Sequence, residues 1–297
     1  MEKGQLYRVK DLIVYRSFAQ KKKDGSDRII NEPSEKLKKI QRRILYLLSK
    51  VQRPQWLISG EKRKCYIDNA KYHMDSTYFL TADISKFYDH CKRERVYRFF
   101  KDKMLMSSDI AKIMTDLTTY EGGIPTGCPT SQIIAYYAYE DMFKRLCDIA
   151  VQNGCKFTLY VDDITFSSST PIEPLKLVNL IGYELRRFDH RIKKEKVKYY
   201  PKESFKVVTG VAIKDHRLKV PNGLQKKIYD NFMTLKEYNY GCYQIDELDY
   251  EKKLNSLMGQ LQSAKNIEST KFPEISRTVQ LHMKKTHHSK GPTGSAD

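Results

Sequence analysis

Three aspartates have the types and spacing for chemistry on phosphate. Asp83 ends the apolar run Leu80-Thr81-Ala82, and the pair Asp162-Asp163 lies between Phe157-Thr158-Leu159-Tyr160-Val161 and Ile164-Thr165-Phe166. A carboxylate framed by apolar residues is costly unless it has a partner. A lone Asp-Asp pair is most often a solvated turn, because Asp favours turns; the apolar flanks and the third acid set this pair apart. Adjacent residues of a strand point to opposite faces, yet at a tight turn both can lean toward one centre. Carboxylates gathered there repel one another, and divalent cations relieve the repulsion. Two cations about 3.5–4 Å apart can activate a hydroxyl and stabilise a leaving pyrophosphate oxygen. All-oxygen ligation suits two Mg²⁺, with Mn²⁺ as a substitute, better than zinc.

The acids need a frame, and hydrophobic periodicity supplies one. Phe79 to Ile84 reads as a buried strand, and Phe157 to Val161 with Ile164 to Ser167 reads as a hairpin with the two acids at its turn. Tyr15 to Gln20 and Arg28 to Asn31 form a second hairpin with a basic tip at Lys21-Lys22-Lys23-Asp24-Gly25. Ser34 caps a helix carrying Leu37, Ile40, Ile44, Leu47 and Val51. A helix from near Pro129 to about Ala150 and another over Leu175 to Phe188 follow, with a further hairpin turning at Asp215-His216. Beyond Pro221 the chain is helical, Lys-rich and Tyr-rich to about Lys285, and then a loose tail. The expected class is α+β, with helices on one face of a small antiparallel sheet.

Composition narrows the partners. The 54 Lys and Arg against 36 Asp and Glu leave +18, spread along the 297 residues. A long polyanion suits such a surface, since each neutralised phosphate releases counterions. The six cysteines include no C-x-x-C pair, so neither a structural zinc nor a disulfide framework is indicated. Met1 to Lys23 is charged and lacks an apolar signal core, and the uncharged run Gly122 to Tyr139 holds two Pro and three Gly. No membrane span is expected, and a cytoplasmic protein follows.

Tyr160-Val161-Asp162-Asp163 resembles the Y-x-D-D box of reverse transcriptases, and Asp83-Ile84-Ser85-Lys86-Phe87-Tyr88 resembles their first aspartate motif. Between them, Ile124-Pro125-Thr126-Gly127-Cys128-Pro129-Thr130-Ser131 is similar to the family's (L/I)-P-Q-G-x-P-x-S segment, with Thr126 in place of Gln. Ile192 to Lys196 resembles the I-N-x-x-K element, with Lys193 in place of Asn. Asn69-Ala70-Lys71-Tyr72-His73 and Val208-Thr209-Gly210 look like the N-A-x-x-H and V-T-G patterns of bacterial retron reverse transcriptases. The resemblance is expected to exclude a mobile intron protein, whose thumb would be followed by an endonuclease or maturase extension.

The resemblance implies a right-handed fingers, palm and thumb: 1–80 fingers with part of 101–125, 81–215 palm, 216–285 thumb and RNA-recognition region, and 286–297 flexible tail. It implies catalytic Asp83, Asp162 and Asp163, with Ile84 lending a backbone carbonyl to the metals. Arg28, Lys23, Phe87, Tyr88, Thr126, Gly127 and Lys196 would hold the deoxynucleoside triphosphate, the Tyr88 ring excluding a ribose 2′-hydroxyl. RNA contacts would fall to Asn69, His73, Val208, Thr209 and Gly210, and to Lys226, Lys227, Tyr229, Lys236, Tyr238 and Tyr240. The partners implied are a cognate structured non-coding RNA, its branched RNA–DNA product primed from a 2′-hydroxyl, and an effector protein in anti-phage defence. Two alternatives stay open: another bacterial reverse transcriptase lineage, template-independent or protein-primed, and a non-catalytic RNA-binding module of the same fold.

Overall fold

A computed structural model describes residues 9–21, 25–239 and 246–289. Contacts divide the chain into two compact units, one up to Ser204 and one from Phe205 on. Lys23 and Tyr240 lie outside the described residues.

The first unit opens with α1 (Val9–Leu12) and the hairpin β1 (Tyr15–Lys21) and β2 (Asp27–Pro33), paired from Tyr15↔Pro33 to Lys21↔Asp27. Helix α2 (Glu35–Leu48) starts at Ser34, whose hydroxyl accepts from Leu37 N–H, and it buries Leu37, Ile44 and Leu48. α3 (Tyr66–Tyr72), β3 (Tyr78–Asp83), α4 (Arg93–Arg98), α5 (Ser108–Thr118), α6 (Ser131–Ala138) and α7 (Glu140–Gln152) follow. Next come β4 (Lys156–Tyr160), β5 (Asp163–Ser168), α8 (Pro174–Arg186) and β6 (Lys198–Tyr200).

The one helix expected from Pro129 to Ala150 is two, broken at Tyr139. That phenol is wholly buried, donates to His90 carbonyl at 3.0 Å and accepts from Lys92 N–H at 2.9 Å. A tertiary anchor overrides a continuous helical period.

The strand order β4-β5-β3-β6 makes a four-stranded sheet whose pairs are all antiparallel. Side chains alternate between its faces. Leu80, Ala82, Phe157, Leu159, Ile164 and Phe166 form the buried apolar face, and all of them but Ala82 share one cluster with Phe143 and Leu146 of α7 and Leu177 and Ile181 of α8. Asp83, Thr81, Asp163, Thr165, Ser167, Tyr160 and Thr158 share the other face, as the registers Asp83↔Asp163, Thr81↔Thr165 and Thr158↔Thr165 require. β6 adds a strand that the sequence reading had not placed.

The second unit holds the meander β7 (Lys206–Val208), β8 (Val211–Lys214), β9 (Arg217–Lys219) and the helices α9 (Asn222–Asn239), α10 (Glu247–Ile267) and α11 (Pro273–Ser289). Its two-residue turns, Thr209-Gly210 and Asp215-His216, carry positive φ at all four residues, the twist that short hairpins favour. The segment 205–215, which the resemblance grouped with the palm, falls in the same compact unit as the helices that follow it. Lys219 pairs with Glu268 at 2.8 Å, tying the meander to α10.

Candidate active site

The β4–β5 hairpin turns through Val161-Asp162, so Asp163 opens β5 directly opposite Asp83. Paired residues of an antiparallel ladder project to one side, which brings these two carboxyls together. Ile84 N–H donates to the Asp162 carbonyl at 3.0 Å, locking the turn to the end of β3. On the other flank Lys193 N–H donates to Asp83 carbonyl and Ser85 N–H to Arg191 carbonyl, each at 2.8 Å. The Ile84 amide therefore faces the hairpin, and in an extended chain its carbonyl faces the same way.

The electrostatics are those of crowded acids. Burial, then Asp162 and Asp83, push the Asp163 carboxyl up to about 7. Burial and Asp83 raise Asp162. Lys196, at the end of a short 3-10 turn, sets its ammonium 2.8 Å from Asp83 Oδ1. Among the described residues no group of three or more acids, histidines or cysteines is arranged to hold a metal ion as it stands. Lys196 occupies Asp83 instead, and burial with the neighbouring acids raises Asp162 and Asp163. A crowded, oxygen-only donor set on one face fits a hard divalent cation, which would displace the proton and compete with the ammonium.

Tyr88 is half-buried beside this centre; burial first, then the Asp162 charge, hold its phenol protonated well above the usual range. Arg28 is exposed on β2, and its charge is felt at both Tyr88 and Asp162. Thr126 and Gly127 seat that hairpin: Asn31 N–H donates to Thr126 carbonyl at 2.8 Å. At Gly127, φ is +108° and a Cβ would meet Ile30 Cγ2 at 2.8 Å, so only glycine allows the approach.

Several expected contacts are corrected by burial. Phe87 is 4 % exposed and packs against Tyr139, Phe143 and His190, so its ring faces the core rather than a nucleotide. Asn69, His73 and Val208 are wholly buried and offer no side chain to RNA. His73 sets Nδ1 2.6 Å from Ser167 Oγ and Nε2 2.7 Å from Thr158 Oγ1, and Ser167 in turn donates to Ser76 at 2.8 Å. With the Ser167 proton given to Ser76, Nδ1–H donates to Ser167 and Nε2 accepts from Thr158. Burial depresses the imidazole to about 3, so it is neutral and structural. Thr209 and Gly210 form a hairpin turn.

On α9 of the second unit, Lys226, Tyr229 and Lys236 are exposed at spacings of one helical face, together with Met233. Lys227 is exposed too, while Tyr238 is half-buried with its ring centroid 4.6 Å from that of Tyr250. Sequence reasoning passed over Ser59, whose hydroxyl accepts from Val161 N–H at 2.8 Å. No local pattern marks a residue 102 positions from its partner.

Residues 20–213 match the family described as reverse transcriptase (RNA-dependent DNA polymerase). The chain is 25% identical over 246 residues to the Retron Se72 reverse transcriptase of Salmonella heidelberg, covering 80% of this chain and 64% of that one. It is 24% identical to the Retron Ec48 and Retron Ec83 reverse transcriptases of Escherichia coli, over 86% of this chain and 66% and 83% of those. It thus spans about two thirds of the length of Se72 and Ec48. Among solved structures, apo telomerase from Candida tropicalis aligns at a TM-score of 0.55 and 12% identity, over 89% of this chain and 59% of that one. The foamy viral protease-reverse transcriptase aligns at 0.52 and 16%, over 95% and 42%. These likenesses give the fold, that of the right-handed polymerases. No helix among the described residues is long and apolar enough to cross a membrane.

Proposed function

We propose that this chain, which belongs to the reverse transcriptase family, is an RNA-directed DNA polymerase of the retron type. The observation that carries the reading is the crowding of Asp83, Asp162 and Asp163 at one end of the sheet, with Lys196 on Asp83 and Tyr88 beside Asp162. Bound Mg²⁺ would supply Lewis-acid activation of a primer hydroxyl and charge neutralisation on the triphosphate. Asp83 and Asp162 would hold it, with the Ile84 carbonyl, and Asp163 would support the site. The chain's own groups do the rest. Lys196 would pass from Asp83 to the triphosphate, and Arg28 would clamp phosphate oxygens from the β1–β2 side. The Tyr88 ring would fill the space a ribose 2′-hydroxyl needs, selecting deoxynucleotides. The exposed lysines and Tyr229 of α9 are suited to an RNA backbone and its unpaired bases.

The retron relatives support the finer reading. In it the protein binds one structured non-coding RNA in the cytoplasm, primes from a 2′-hydroxyl of that RNA, makes a branched RNA–DNA molecule and serves anti-phage defence with an effector. Two measurements test it. Purified protein with Mg²⁺ and an oligo(dT)-primed poly(rA) template should incorporate dTTP; no incorporation rejects the polymerase. Nucleic acid copurifying with the chain should contain DNA joined to RNA at a 2′ position; unbranched RNA alone, beside an active polymerase, rejects the retron type.

A further inference from the structure

The turn that carries Asp162 is hydrogen-bonded to a residue in an outer strap. Val161 has φ +61°, a left-handed conformation that β-branched side chains strongly resist. Asp162 is the next residue, so the Val161 backbone decides where that carboxylate points. Something outside the hairpin must hold such a conformation.

The segment 56–60 runs alongside the free edge of β4. Leu159 N–H donates to Trp56 carbonyl at 2.9 Å and Ile58 N–H donates to Leu159 carbonyl at 3.1 Å, with Leu57 opposite Leu159 in a parallel bridge. A parallel ladder would next send Val161 N–H to the Ile58 carbonyl. The positive φ swings that amide aside, and it donates to Ser59 Oγ at 2.8 Å instead. Ser59 is buried, and Arg53 fixes the strap behind it by donating to Gly60 carbonyl at 3.1 Å and pairing with Glu61 at 2.6 Å. A cavity of about 140 Å³ lined by Ser59, Gly60, Gln132 and Val161 leaves room beside the hydroxyl.

We infer that Ser59 is a positioning residue for polymerisation: its hydroxyl holds Val161 in the left-handed turn that aims Asp162 at the metal site. The inference rests on the polymerase reading but not on the retron one. Ser59→Ala removes the acceptor, and a turn free to relax misplaces Asp162; kcat should fall about tenfold, as small misplacements of catalytic groups do. The dNTP KM should stay within about twofold, because no nucleotide contact is lost. The Mg²⁺ concentration for half-maximal rate should rise. Ser59→Thr keeps the hydroxyl, the cavity takes its methyl, and activity should return. Glycine adopts positive φ without strain, so in a Val161→Gly background Ser59→Ala should add less than about a twofold loss.

The deciding readout is hydrogen exchange in EDTA, which needs no activity. Ser59→Ala should speed exchange at Val161 at least about tenfold while the β3 and β5 amides stay protected. Unchanged Val161 exchange, or an undiminished kcat loss in the Val161→Gly background, overturns the inference. Loss of protection throughout the sheet assigns Ser59 to general stability and also overturns it. A wild-type chain that does not polymerise removes the activity reading, while the exchange result still decides the latch.

Discussion

Two polar clusters lie toward opposite ends of one face of the four-stranded sheet, and they are built on opposite principles. At one end His73, Ser167, Thr158 and Ser76 form a buried network in which both imidazole nitrogens have partners. At the other, Asp83, Asp162 and Asp163 crowd like charges, with Lys196 as cation on Asp83. The strands are shared: Ser167 and Asp163 both belong to β5, four residues apart. A satisfied network rigidifies, whereas unsatisfied charge stores a demand for a ligand. The comparison separates His73, which looks functional in sequence and is held as a structural group, from the acids, whose crowding supports the proposed metal-holding role.

The largest effect should come from neutralising the crowded end. Asp162→Asn with Asp163→Asn should lower dTTP incorporation by at least about 10³-fold, as loss of metal-holding carboxylates does. The same change should raise the melting temperature in EDTA, since repulsion is removed; a lower melting temperature would break the comparison. At the satisfied end, His73→Ala strands two buried hydroxyls and opens a cavity. A loss of about 2–4 kcal/mol is expected in urea unfolding. Affinity of the folded protein for a labelled RNA hairpin should be unchanged, and a selective loss of RNA affinity would restore a recognition role to His73.

The pH dependence of the metal-free protein sharpens the contrast, because the two ends titrate with opposite sign. The Asp163 carboxyl is raised from 3.8 to about 7, so its stabilising, protonated form is complete below about 3.8 and is lost as pH rises through about 7. His73 is lowered from 6.5 to about 3, so its contribution is complete above about 6.5 and is lost as pH falls toward about 3. Thermal melts in EDTA should show Asp163→Asn flattening the decline toward neutral pH and leaving the acid limb in place. The smallest effect belongs to Lys196→Ala. Its ammonium is half exposed, so the pair with Asp83 contributes at most about 1 kcal/mol, less at high salt. The melting temperature in EDTA should drop slightly, and Mg²⁺ should erase the difference.

Much of the site was legible in sequence because its signals are local. The hairpin around Asp162-Asp163, the strand ending in Asp83 and the Ser34 cap each appear in a few consecutive residues and are found where the alternation and capping rules put them. The turn at Asp215-His216 was legible for the same reason. Resemblance marked Gly127, but its reason, the Ile30 methyl against which no Cβ fits, lies 97 residues earlier.

What sequence by itself determined is which residues are acidic, which segments alternate, and hence that Asp162 and Asp163 lie at the turn of one hairpin and Asp83 at the end of another strand; that Asp83 pairs with Asp163 is tertiary. Tertiary structure alone decided that His73 is sealed between strands 85 and 94 residues away, and that Tyr139 breaks a helix to reach His90. It alone decided that β6 closes the sheet beside β3 and that Ser59 meets Val161 across 102 residues. The physical reason is range. Alternation and capping act within a turn or a strand, while burial and hydrogen-bond partnership depend on which distant segments the folded chain brings together.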